Sequence, residues 1–193
     1  VACVKTLLKS NSDPKYVEIT FPSHGSNIEI TSFRNAVEKG YIEKVKAFID
    51  AHKDLINQRG NSDLLPLNSA AEYGHLDVMN ELLEREVNIN DQENDNRYTA
   101  LMSAVSFEKG DCIKSLLEHG ANPNLQNKTG DTALMIAVKE NKLEMVRILL
   151  ENAKDIDADV EDKDGQTALM SAVSDEKGDY IKSLLEHGAN PNL

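Results

Sequence analysis

Short apolar runs return along this chain at a spacing too long for one helix and too regular for chance. From residue 31 onward each run carries a small residue at the same place: Ala36, Ala70, Ala104, Ala137 and Ala172, in steps of 34, 34, 33 and 35. Inside a run, Leu101 and Ala104 stand three residues apart, on one face of a short helix. Alanine there lets a neighbouring helix approach closely. Thr99, Thr132 and Thr167 stand just before these helices, where a hydroxyl accepts from an unpaired backbone amide. A second apolar stretch follows, with leucine pairs at Leu82-Leu83, Leu116-Leu117, Leu149-Leu150 and Leu184-Leu185. Gly120 and Gly188 come next, and glycine takes the left-handed conformation that ends a helix. A stretch rich in Asn, Asp and Gly then turns the chain outward as a hairpin-like loop. The predicted unit is helix, turn, helix, loop.

The units are copies of one another. Residues 99–125 and 167–193 are 27-residue segments that differ only at Phe107/Asp175 and Cys112/Tyr180. A more diverged copy lies between them, another at 66–90, and a fainter one at 31–57. One such unit cannot bury its apolar face alone, whereas stacked copies can, so the array folds as a one-dimensional stack. The expected fold is an all-α solenoid of five units, at about 31–63, 64–96, 97–130, 131–165 and 166–193. Residues 1–30 fit less well and are read as a degenerate or truncated unit with an enlarged loop. In them Val4–Lys9 looks like a second helix, Pro14–Pro22 alternates like a strand, and Ser23–Asn27 reads as a loop. The chain begins at Val1 and stops at Leu193 on a nearly regular unit with no polar cap, so the native protein is expected to continue.

Charge narrows the partners. With 21 Lys and Arg against 33 Asp and Glu, the net charge is −12. That excess opposes a nucleic-acid backbone and an anionic membrane surface, and it favours a protein with a basic or mixed patch. Cys3 and Cys112 have no metal-type spacing and read as reduced thiols, which suggests a reducing compartment. The expectation is a cytoplasmic monomer, in its own cell or delivered to another.

Catalytic constellations are missing from the sequence, and no enzyme activity, cofactor or metal is expected. His75, His119 and His187 recur at repeat positions, as structural residues do. The alternating acids of Asp155–Asp162 resemble the start of a calcium loop, but that geometry wants glycine sixth and glutamate twelfth. Val160 and Gln166 stand there, so the segment reads as a solvated acidic loop. Cys112 is matched by Tyr180 in the twin copy, so its position asks for bulk rather than a thiol.

The repeat resembles the ankyrin family. The family pattern runs D-x-x-G-x-T-P-L-H-x-A, then Gly-His, a leucine-rich helix and G-A-D-x-N. Here it stands as Lys163-Asp164-Gly165-Gln166-Thr167-Ala168-Leu169-Met170-Ser171-Ala172, with Gly74-His75 and Gly188-Ala189-Asn190-Pro191-Asn192. The likeness covers about 31–193. There are departures. T-P-L-H is T-A-L-M in three copies, which removes a Thr–His bond. Glu86 and His52 replace capping glycines. Glu-Lys-Gly-Asp at 108–111 and 176–179 moves the mid-repeat glycine two residues on, so a longer first helix or turn is expected there. The loop after residue 155 carries two extra residues.

The resemblance implies a protein-interaction module whose concave face is built from loop tips and first helices. Carried over by register, the partner-binding positions are Glu72, Tyr73, Tyr98, Ser103, Phe107, Ile136, Lys139, Glu140 and Gln166. Tyr73, Tyr98 and Phe107 are the expected aromatic anchors. Asp175 replaces Phe107 in the twin copy, a swap that marks the position as exposed. Acids at Asp91, Glu93, Asp95, Asp162 and Asp164 are expected to form a negative rim. A second reading is the regulatory or targeting arm of a larger enzyme or effector whose catalytic part is absent from this chain.

Overall fold

The computed structural model describes residues 27–59, 64–85, 87–93 and 95–193; the readings made of residues 1–26 and of Glu86 lie outside it. The described residues form ten α-helices in five antiparallel pairs: α1 (Asn27–Glu38) with α2 (Ile42–Ala51), α3 (Pro66–Tyr73) with α4 (Leu76–Glu84), α5 (Ala100–Ser106) with α6 (Gly110–Glu118), α7 (Ala133–Lys139) with α8 (Leu143–Asn152), and α9 (Ala168–Ser174) with α10 (Gly178–Glu186). The first helices stand side by side in one rank and the second helices in another. Asn27, expected in a loop, already belongs to α1.

Helices of seven residues are too short to persist alone, and two devices hold them. The threonine hydroxyls cap as expected: Thr99, Thr132 and Thr167 accept from the amides of Met102, Met135 and Met170. In the second repeat Pro66 opens α3 instead, at a position where its missing amide costs nothing. The rest comes from packing. The five anchor alanines are all buried, in one continuous core with Leu67, Leu82, Leu101, Leu116, Leu134 and Leu149.

The expected longer helix or turn at Glu-Lys-Gly-Asp is not found. α5 and α9 have seven residues, the same as α7. In all five repeats the turn is made by a residue with positive φ four positions after the anchor alanine: Gly40, Gly74, Glu108, Asn141 and Glu176. Glu108 therefore occupies the place of Gly74, and the displaced Gly110 opens α6. There it serves packing, since a Cβ at Gly110 would lie 2.9 Å from Cδ1 of Ile148 on α8. The two extra residues of the fourth repeat, expected in the loop after residue 155, lie before Asp157 instead, where α8 runs one residue beyond the length of α6 and Ala153 leaves it extended. The first repeat ends its second helix on His52 and adds a 3₁₀ turn at Lys53–Asn57.

Side chains stitch the repeats together. Oδ1 of Asn57, Asn90, Asn124 and Asp159 accepts, in turn, from the amides of Asn88, Asn122, Asp157 and Asn190, each one repeat further on. His75 binds the Glu38 carbonyl at the end of α1, at 2.9 Å. Lys142 and Lys177, at the same register, donate to carbonyls at the ends of α5 and α7. A cation at a helix C-terminus is favoured by the helix dipole. His119 and His187 turn back onto their own helices, at the Ser115 and Ser183 carbonyls. The repeat histidines are thus held by backbone carbonyls.

Candidate protein-recognition face

The expected site positions separate by burial. Three residues after each anchor alanine, Lys39, Tyr73, Phe107, Glu140 and Asp175 are all exposed. Tyr73 and Phe107 retain 49% and 50% of their surface. They hold equivalent places at the C-terminal ends of α3 and α5, Tyr73 as the last residue of α3 and Phe107 as the residue that caps α5, and the two helices pack directly against each other. The exposure inferred from the Phe107/Asp175 swap is what the structure shows. Lys139 and Gln166 are also exposed, and Glu72 is half-buried.

Three expectations need correction. Ser103 and Ile136 are buried, at 6% and 3% exposure, and cannot touch a partner directly. The residue before the anchor is buried wherever its helix is flanked on both sides, as at Ser69, Ser103 and Ile136. It is exposed at Asn35 and half-buried at Ser171, on the first and last described helices of the rank. Tyr98 is half-buried and packs against the core rather than standing out as an anchor. The negative rim is also smaller than expected. Asp95 and Asp164 face solvent, but Asp91 accepts from Arg59 at 3.2 Å, and Glu93 and Asp162 are drawn inward.

Asp162 shows how the hairpins are tied down. Its Oδ1 accepts from the amides of Asp164 and Gln166, and its Oδ2 from Lys139 at 2.7 Å. Burial pushes its carboxyl up, but Lys139 and the two amides outweigh that and hold it below the usual range. Lys139 bridges Asp131 as well. Burial pulls its ammonium down, and the two aspartates more than reverse this. Asn127, one repeat earlier, accepts from the amides of Thr129 and Asp131 in the same way.

Glu93 is the counterpart of Asn127 and Asp162 in the second hairpin, yet it behaves differently. Its amide donates to the Tyr98 carbonyl, as the amides of Asn127 and Asp162 donate to Asp131 and Gln166. That turn is one residue longer, and the side chain is longer too. Here Asn68 Nδ2 donates to the Tyr98 carbonyl at 3.1 Å, and the Glu93 Oε1 is buried without a partner, as is Nη1 of Arg59. Burial, with Glu72 adding and Asn68, Arg59 and Arg34 opposing, raises it to about 7. Glu72 is raised as well, by burial and then by Glu38. The aligned hairpins carry this signal in the sequence, where glutamate stands in an Asn/Asp place, a difference that the expectation of a rim acid at Glu93 does not capture.

Among the described residues, no group of three or more His, Cys, Asp or Glu is arranged to hold a metal ion. In the acidic segment Asp157 accepts from the Asp159 amide and Asp159 from the Asn190 amide. Cys112 is buried, and burial pushes its thiol up to about 11. No described helix is long and apolar enough to cross a membrane.

The helix pairs, capped turns and outward hairpins agree with a match to the family model for ankyrin repeats (3 copies), over residues 33–127 and 108–193. The chain belongs to the ankyrin-repeat family. Ankyrin repeats are generally protein–protein interaction modules and typically non-catalytic. No curated protein matches the chain.

Proposed function

We propose that this ankyrin array binds a partner protein across the exposed side of its first helices and hairpins, without catalysing a reaction. The observation that carries this is the pair of exposed aromatics, Tyr73 and Phe107, at one register on adjacent helices. Large aromatic side chains supply contact area at low entropic cost and concentrate binding energy. Lys39, Glu140 and Asp175 continue the row with charge, where they would set on-rate and specificity. The net charge of −12 favours a partner with a basic or mixed patch over nucleic acid or an anionic membrane surface. The array acts as a monomer in the cytoplasm on this reading.

Capture from lysate of the source cell tests it. A Tyr73→Ala, Phe107→Ala variant is compared with wild type and with a Lys114→Ala, Glu144→Ala variant on the exposed side of the second helices, each checked by circular dichroism. Each lost aromatic anchor weakens binding by about 2 kcal/mol, roughly thirtyfold. A partner should therefore be lost from the first variant and kept by the second. A partner held equally by both variants, or lost from the second alone, contradicts the assignment.

A further inference from the structure

The positions three after the anchor alanines form an ordered series. From repeat 1 to repeat 5 they run Lys39, Tyr73, Phe107, Glu140 and Asp175: a cation, two rings, then two carboxylates, all exposed. The first helices that carry them stand side by side in one rank. Each step along the series is therefore the distance between packed helices, about 8–10 Å. The lysines at the acidic end are turned inward. Lys142 and Lys177 pair with Glu140 and Asp175, but they also donate to the Ser106 and Val138 carbonyls of the preceding first helix. Both lysine side chains keep 12% of their surface, whereas the carboxylates keep 40% and 53%. Lys139 is held between Asp131 and Asp162. A partner arriving from solvent meets acids at one end, rings in the middle and Lys39 at the other end.

A bound segment must bring one side chain per step to the same face. An extended strand returns to one face every second residue, at about 7 and about 13 Å, and misses the step. An α-helix returns after seven residues, about 10.5 Å further on and about 20° off. A polyproline helix returns after three, at about 9 Å. The charge order separates these two. Aligned peptide units give an α-helix a macrodipole, positive at its N-terminus and negative at its C-terminus. A polyproline helix has no internal hydrogen bonds to align its peptide units in this way.

We infer that the series receives an amphipathic α-helix of the partner protein, with basic residues in its N-terminal half over Asp175 and Glu140 and apolar residues in its C-terminal half over Phe107 and Tyr73, at seven-residue steps. The inference rests on the recognition function proposed above and names the shape, chemistry and direction of what is recognised. Lys39 lies by the C-terminus of the bound helix, where a cation is favoured.

The test uses the whole chain and blocked alanine-rich helices whose helicity is checked by circular dichroism. The matched probe carries Arg, Arg, Leu and Leu at successive seven-residue steps from its N-terminus. A second probe has these residues in reverse order, and a third has them at five-residue steps. A fourth is a polyproline peptide with them at three-residue steps. Affinities come from titrations followed by the NMR signals of the Tyr73 and Phe107 rings. The matched helix should bind about tenfold more tightly than the third and fourth probes, which cannot seat both leucines and both arginines. It should bind about threefold more tightly than the reversed probe, which keeps the contacts and inverts the dipole. A Glu140→Gln, Asp175→Asn variant should bind the matched helix about tenfold more weakly, with a flatter salt dependence. A Lys114→Ala, Glu144→Ala variant should bind it as wild type does. Any other probe that binds as tightly as the matched helix, or a Glu140→Gln, Asp175→Asn variant that binds it unchanged, would overturn the inference. Capture that depends on Tyr73 and Phe107 without any binding of the matched helix removes only the helix. Binding of the matched helix with capture indifferent to both rings removes the recognition face instead.

Discussion

A side chain at positive φ crowds the following carbonyl, and an L-residue other than glycine bears about 1–2 kcal/mol for it. Glu108 and Glu176 hold that conformation, at φ 55° and 54°, where the first two repeats have Gly40 and Gly74. Replacing Glu108 with glycine should relieve the strain, less the glycine entropy lost on folding. The expected gain is about 0.5–1 kcal/mol, read as a melting temperature higher by roughly 2–4 °C per kcal/mol. A fall would show that the Glu108 side chain makes a contact that outweighs its strain. Glu93 gives a pH signature. Its folded carboxyl is raised to about 7 from an ordinary 4.5. Its contribution to stability is fully present below the ordinary value and is lost as pH rises through 7. Glu93→Gln should therefore stabilise the protein more at pH 8 than at pH 5, by less than about 1 kcal/mol given solvent screening. Denaturation at the two pH values decides it. Cys112 should be inert. With burial, aided by Asp111 and opposed by Lys109, holding its thiol up to about 11, little thiolate exists at pH 8. In a Cys3→Ser background, Ellman's reagent should react only as fast as the protein opens, and rapid reaction of the native chain would contradict this.

Elements show which parts of the structure were legible in the sequence. The five helix pairs follow from the alanine spacing because closely packed helices require a small residue at each crossing, and side chains of one register must repeat. The threonine caps were legible for a similar reason, since the hydroxyl and the amide it serves are three residues apart in one segment. The turn between helices was not. Glu-Lys-Gly-Asp offers a glycine, but backbone geometry places the positive φ two residues before it, and that glycine is used to admit Ile148. The burial of Ser103 and Ile136 is not legible in the sequence, because it depends on flanking repeats rather than on their own helix. The place of Glu93 is visible only once the hairpins are aligned by their backbone hydrogen bonds, across a turn that is one residue longer.

At the scale of the whole molecule, each repeat is stabilised by its neighbours, so one residue type has different worth along the stack. Val105 and Val138 are fully buried, while Val173 at the same register keeps 55% of its surface. Val138→Ala should cost about 2 kcal/mol, and Val173→Ala no more than about 0.5 kcal/mol. Equal costs in urea denaturation would mean that repeat 5 is not the open end of the described stack. Stacking also lines up the exposed positions of the first helices into one row, and that row is where recognition is proposed to occur. The most direct test is hydrogen exchange on the array alone and in complex with the protein it captures. Binding through this face should slow exchange in α1, α3 and α5 and in the hairpin at 87–98, with α4, α6 and α8 unchanged. Protection confined to the second helices would contradict the account.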